Sequence, residues 1–306
     1  MLVVLGEALV DLVIDSRGNV DAALGGAPFN TARAAARLGT PTRFGGAISV
    51  DRFGSMLAAQ LERDGVDVAL APRTERPTTL AAAEIDESGG ARYRFYFEGT
   101  SAPVLTETDV AAGVAGASVV FTGGLGLVLE PMASAIANGV QDLGDDVLLA
   151  IDVNCRPAVI PDRDRYLDRL GSVLPRVGLL KVSDEDLDYL YPGVEVLGAA
   201  ERLLAAGPGA IVVTSGPQGT TVLTPNGKGH VDVDPIAAPI ADTIGAGDTF
   251  IGGLLAWWDQ RGLSRQRLRD DDLIAAVGAG HAAAAVVVTR RGAEPPHRHE
   301  LSPDWV

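Results

Sequence analysis

Short runs of Val, Ile and Leu recur along the chain, too continuously apolar to be strands with one wet face. Residues 2–5, 119–122, 147–151, 179–182 and 211–214 read as strands buried on both faces, the pattern of a mainly parallel sheet. Helical patterns follow several of them, over 30–38, 132–143, 164–174, 184–190, 199–206 and 249–260. Strand–helix alternation with both sheet faces covered predicts a three-layer α/β arrangement, in which ligands bind outside the carboxyl ends of the strands. Residues 78–85 and 92–97 break the alternation: they are strand-like and joined by a turn-rich stretch at 86–90, and 8–14 with 19–24 form a second such pair. Together they predict a small β-sheet inserted after the first strand, either packed over a site or a decorative ribbon. The apolar run at 282–288 is expected to be a buried passage from helix to strand. No internal repeat or linker divides residues 1–306, which are expected to form one domain with the small sheet drawn from about 8–24 and 75–100.

Composition narrows the function classes. A net charge of −15, from 25 basic and 40 acidic residues spread along the chain, disfavours nucleic acid and anionic membrane as partners. An anionic substrate must therefore meet local positive potential. The single cysteine, Cys155, excludes an internal disulfide and suits a reducing cytoplasm, the expected location. The N-terminus opens as a core strand without a basic leader, and no apolar run approaches the roughly 18–20 residues that span a bilayer.

The most informative segment is Asp242, Thr243, Ile244, Gly245, Ala246, Gly247 and Asp248, running into the helical pattern. Gly245, Ala246 and Gly247 fall at a helix N-terminus, where unpaired N–H groups and the helix dipole favour negative charge. A phosphoryl group in transfer needs such a cradle. Asp248, on the first turn, is placed to take a proton from an attacking hydroxyl. On local physics alone, a tight loop with an acidic cap explains the same spacing.

A second motif makes the assignment specific. Gly25, Gly26, Asn30 and Ala32, followed by Ala36, Leu38 and Gly39, fit G-G-x-x-x-N-x-A-x-x-x-A-x-L-G. With D-T-x-G-A-G-D some 200 residues later, the chain resembles the ribokinase-like (PfkB) carbohydrate kinases over essentially its whole length. The resemblance implies a three-layer α/β/α ribokinase-like core with a β-sheet lid over the sugar, often also the contact of a homodimer. It implies ATP as phosphoryl donor, with Mg²⁺, and a small-molecule sugar as acceptor. Asp11, Gly25, Gly26 and Asn30 match the sugar-binding set. Asp11 is a carboxylate in an apolar run, the glycines admit close backbone approach, and Asn30 offers a donor and an acceptor or simply caps its helix.

The remaining candidates follow strands. Asp152, Asn154 and Arg156 resemble the D-P-N-x-R element of fructokinase-like members, with Val153 where those have proline. Arg156 is the natural cation for transferring phosphate, or else a surface ion pair. Lys181, Ser183 and Asp186 stand where relatives carry N-x-x-E, coupled to Mg²⁺ and phosphate through water; a helix cap explains Ser183 and Asp186 equally well. Thr214, Gly216 and Gly219 match a nucleotide turn, or a plain turn into a strand at 220–223. His281 and Ala284 lie on a helix that lines the adenine pocket in relatives. Asp242 and Thr243, with carbonyls near Arg291 and Gly292, match a monovalent-cation site, K⁺, seen in some members.

The motifs look most like those of fructokinases. The competitor is 2-keto-3-deoxygluconate kinase, whose carboxylate substrate wants a lid arginine. Glu98 stands near that position here, with Arg92 or Arg94 as substitutes, so a neutral ketohexose is favoured over a keto acid, ribose or a nucleoside. A non-catalytic sugar-sensing relative is disfavoured by the intact Asp248. A dinucleotide oxidoreductase is disfavoured because Leu5, Gly6, Glu7 and Ala8 form no G-x-G-x-x-G turn. Cys155 is read as structural, His297 and His299 as a solvated tail, and Trp257 and Trp258 as packing.

Overall fold

The computed structural model describes residues 1–85, 91–236 and 238–305. In chain order the strands are β1 (Leu2–Val4), β2 (Leu9–Ile14), β3 (Val20–Gly25), β4 (Thr42–Phe44), β5 (Ile48–Ser49), β6 (Val66–Asp67), β7 (Arg73–Thr74), β8 (Leu80–Ile85), β9 (Ala91–Tyr96), β10 (Val119–Gly123), β11 (Leu148–Asp152), β12 (Leu179–Ser183), β13 (Ala210–Thr214), β14 (Thr220–Thr224) and β15 (Gly227–Val231). The helices are α1 (Ala27–Arg37), α2 (Arg52–Arg63), α3 (Glu107–Gly113), α4 (Met132–Gly139), α5 (Arg163–Val173), α6 (Asp184–Leu190), α7 (Val196–Ala205), α8 (Ala246–Gln260) and α9 (Asp270–Val287).

Nine strands form one sheet in the order β15-β14-β13-β12-β11-β10-β1-β4-β6. It is parallel except where β14 and β15 run antiparallel at one edge. Alternate side chains of its central strands enter two separate cores, as period-2 geometry requires. Val4, Phe121, Ala150 and Val212 pack with α1, α8 and α9, while Leu5, Val120, Ile151 and Val213 pack with α4, α5, α6 and α7. Burial on both faces is why these strands read as continuous apolar runs.

A four-stranded sheet, β3-β2-β8-β9, forms the predicted insertion. The turn expected at 86–90 lies outside the described residues. Asp11 stands in β2 of this small sheet, paired in register with Ala23 and Ala81. The run at 282–288 is also different from expectation: α9 continues through Val287, because its alanines favour helix and Ala283 and Val287 are buried against α8 and the sheet. The fourth helix ends at Gly139, earlier than its apolar pattern suggests.

Helices α1 and α8 lie unusually close. A Cβ on Gly252 of α8 would fall 2.7 Å from the Ala34 Cβ and 3.0 Å from the Thr31 carbonyl oxygen of α1. Gly253 and Gly280 make the same allowance between α8 and α9. Substituting Gly252→Val should therefore push α1 off α8 and lower stability by about 1–3 kcal/mol, read as a fall in the midpoint of denaturant unfolding.

Candidate active site

Glu7 after β1, Arg156 after β11, Lys181 of β12, Asp11 of β2 and the N-termini of α1 and α8 converge on Asp248 and frame the candidate cleft. At its floor Asn30 Nδ2 donates to Asp248 Oδ2 at 2.9 Å, joining the two motifs across 218 residues. Asn30 is buried and its Oδ1 has no partner, so an acceptor is held ready for a ligand hydroxyl. Asp248 is half-buried; burial raises its pKa, against the Asn30 hydrogen bond and the positive charges of Lys181 and Arg156.

Glycine is required at the neighbouring turns. Gly245 is the N-cap of α8 with φ 75°, and a Cβ there would lie 2.5 Å from the Ala293 Cβ. No side chain caps α8; the Ala246 N–H, expected in the cradle, is instead taken by the Thr243 carbonyl at 3.2 Å, which leaves those of Gly247 and Asp248 in the first turn. Lys181 Nζ stands 3.3 Å from where a Gly247 Cβ would project, so a buried ammonium lies beside that turn. Lys181 also bonds Asp152 at 2.8 and 3.0 Å. Burial works to discharge the ammonium, but Asp152, Asp186 and Asp248 hold its pKa above the ordinary value.

Across the cleft, a Cβ on Gly25 would fall 2.2 Å from Asp11 Oδ2, so only glycine admits the Asp11 carboxylate there. Burial and the nearby Asp248 charge push Asp11 up to about 6, with Arg156 opposing. Arg156 is exposed and anchored by Asn154, whose Oδ1 accepts from Nη1 at 2.6 Å and whose backbone has φ 40°. Val153, in place of the usual proline, donates its N–H to the Lys181 carbonyl at 3.0 Å. A proline could not make that bond.

Ser183 and Asp186 form a capping box on α6, and Asp186 also accepts from the Cys155 N–H at 2.6 Å. Each Asp186 oxygen is thus on a backbone donor, and burial with the Asp186 charge pushes the Cys155 thiol upward, leaving it inert. Thr214 ends β13, and Gly216 and Gly219, both at positive φ, make the turn into β14. Beside it His281 Nε2 bonds the Thr220 hydroxyl at 2.8 Å, and burial lowers the His281 pKa. Asp242 accepts from the Ile244 and Gly292 N–H groups at 3.0 and 2.9 Å, clipping two loops together near Thr243.

Arg94 faces away from this cleft. Its register partner Ala82 lies on the opposite face of the small sheet from Ala81 and Asp11, and Arg94 bonds Glu84 at 3.0 Å. The side chain of Arg92 lies outside the described residues.

Two features escaped the sequence. Glu7, at the end of β1, is buried beside the cleft; the signal was present, an acid in an apolar run, as for Asp11. Arg33 and Arg37 of α1 share Asp64 and Glu294, and Arg33 also donates to the Ala293 carbonyl at 2.9 Å. Helix α1 is thereby tied to the segment against which Gly245 rests.

Comparison with known proteins agrees with this geometry. The pfkB family carbohydrate kinase profile matches residues 1–299. The chain is 32% identical over 261 residues to the fructokinase of Rhizobium leguminosarum bv. trifolii, covering 84% of this chain and 79% of that one. It is 30% identical over 308 residues to a probable fructokinase of Arabidopsis thaliana, covering 96% and 93%. In fold it matches fructokinase with bound ATP from Xylella fastidiosa, with a TM-score of 0.85 at 24% identity, covering 95% and 93%. It likewise matches a fructokinase double mutant from Vibrio cholerae bound to fructose, ADP and potassium ion, with a TM-score of 0.84 at 23% identity and the same coverage. The chain belongs to the PfkB family of carbohydrate kinases, ATP-dependent phosphotransferases with a ribokinase-like fold.

Substituting Lys181→Met leaves the Asp152 carboxylate buried without its cation. The expected cost is about 3–5 kcal/mol at pH 7 in denaturant unfolding. It should shrink at pH 5, because Asp152, already pushed up to about 6 by burial, then carries a proton.

Proposed function

We propose that this protein phosphorylates a primary hydroxyl of a neutral ketohexose at the expense of ATP, with fructose the preferred sugar. The observation that carries the reading is the Asn30–Asp248 contact at the uncapped N-terminus of α8, which puts a sugar-facing amide and a base beside an anion cradle. In this reading Asp11, Gly25, Gly26 and Asn30 hold the sugar. Asp248 takes the proton of its hydroxyl, the oxygen bonds the γ-phosphorus, and the bond to the β-phosphate bridge breaks to release ADP. Charge on the transferring phosphoryl meets the N–H groups of Gly245, Gly247 and Asp248, with Arg156 and Lys181 adding positive potential. Thr214, Gly216, Gly219, Ser183 and His281 line the path of the nucleotide. The raised Asp248 pKa suits a base, and closure of the small sheet as a lid would exclude water.

Fructose is supported by the relatives' names and by Arg94, which is engaged with Glu84 and turned from the cleft, so it does not await a carboxylate. Mg²⁺ would enter with the nucleotide, neutralising phosphate charge with phosphate oxygens and water as its ligands. Both Asp186 oxygens accept from backbone, and the described residues hold no group of three or more His, Cys, Asp or Glu side chains fit for a metal. A K⁺ ion would be held by main-chain oxygens of the loops that Asp242 clips, beside Thr243. Residues 1–306 act as one kinase unit in the cytoplasm; among the described residues no helix is long and apolar enough to cross a membrane. A homodimer through the small sheet is supported by Val20 and Tyr96, exposed on the same face of it.

A coupled ADP assay across fructose, ribose, tagatose, 2-keto-3-deoxygluconate and adenosine tests the substrate. Fructose should give the highest kcat/KM; a preference for the keto acid or adenosine overturns it. Asp248→Asn should lower kcat about 10²–10⁴-fold with little change in sugar KM. The wild-type sugar KM should rise as pH falls through about 6, where Asp11 takes up its proton, and Asp11→Asn should abolish that dependence.

A further inference from the structure

Glu7 has no part in the chemistry above, yet it lies buried between the loops that shape the sugar side of the cleft. It is 3% exposed, and its Oε2 has no partner. A Cβ on Gly124 would come within 3.0 Å of Glu7 Oε1, and one on Gly26 within 2.9 Å of the Glu7 carbonyl oxygen. Both glycines have positive φ, so both loops are shaped around this residue. The backbone N–H groups of Glu7 itself and of Ala27 face the carboxyl and favour its charged form. Ala27 is the first residue of α1, and its N-cap, Gly26, has no side chain to cap the helix.

We propose that Glu7 is a positioning residue that clamps loop 25–27 to the turn at 123–124 and so sets Asn30 against Asp248. The inference rests on the kinase reading of the site. Arg156, from the loop after β11, and Asp248, from the first turn of α8, are the charged groups that act on it. Burial pushes Glu7 up to about 8, against its hydrogen bonds to backbone and the Arg156 charge, so the clamp is a neutral carboxylic acid at pH 7. Ionisation above pH 8 places a second negative charge near Asp248 and unseats the loop.

The neutral isostere Glu7→Gln should keep the sugar KM within about twofold of wild type at pH 7. It should also lose the alkaline rise in sugar KM that wild type shows above pH 8. Glu7→Ala should raise the sugar KM about tenfold or more, with the ATP KM unchanged. An alkaline limb retained in Glu7→Gln, or a wild-type sugar KM in Glu7→Ala, overturns the proposal.

Thermal unfolding without substrates separates this inference from the kinase reading. The Glu7 pKa is higher folded than unfolded, so its stabilisation is fully present below the unfolded value and is lost as pH rises through about 8. Wild type should therefore lose stability relative to Glu7→Gln between pH 5 and pH 9. Parallel curves overturn the clamp whatever the activity; diverging curves in a protein inactive on every sugar support the clamp and count against the substrate reading alone.

Discussion

Everything in the cleft depends on the close approach of α1 to α8. The Asn30–Asp248 bond exists because Gly252 removes the Cβ that would hold the two helices apart, and because small residues line the facing side of α1. The contact sets the amide of one motif and the carboxylate of the other at hydrogen-bond distance, within a molecule whose strands would otherwise leave their ends several residues apart. Packing and chemistry are the same constraint here: a methyl group at Gly252 acts on both.

The cleft sets individual cations within an acidic chain. A chain of net charge −15 repels phosphate at long range, yet the cleft floor holds a buried ammonium, an exposed guanidinium and an uncapped helix start. Lys181 remains charged in the interior because Asp152 lies at bonding distance and Asp186 and Asp248 stand nearby. The acids that hold it charged are themselves occupied: Asp152 by the ammonium, Asp186 by two backbone N–H groups. The two cations thus stand among Asp11, Asp152, Asp186 and Asp248, so the site meets phosphate through placed donors rather than through a net positive field.

The parallel strands were legible because burial on both faces writes a continuous apolar run, and the two glycine motifs were legible because their spacing is rigid. Other features had no such trace. That Asp11 lies in a strand of the small sheet was legible, but its partners Ala23 and Ala81 depend on a register that the alternation of 8–14 does not specify alone. The end of α9 was misjudged because an Ala-to-Val run carries helix and strand signals together. Val153 could be seen as a departure from proline, but its bond to the Lys181 carbonyl depends on how β11 and β12 align. Glu7 carries the same signal as Asp11, an acid in an apolar run, but its burial depends on loops around Gly26 and Gly124 that lie far apart in the sequence. The site roles of Ser183 and Asp186 stayed open in the sequence because a capping box and a ligand pair share one pattern, and the capping box is the geometry observed.

The ion cluster of Arg33, Arg37, Asp64 and Glu294 gives the molecule an order of completion. Asn30 and the sugar-facing loops leave the ribosome early, Asp248 late, and Glu294, which fastens α1 to the support of Gly245, later still. The cradle gains its backing only after residues 293–294, which follow α9, have emerged. Phosphoryl-transfer competence therefore waits on Arg33 and Ala293, 260 residues apart in the chain, being brought together.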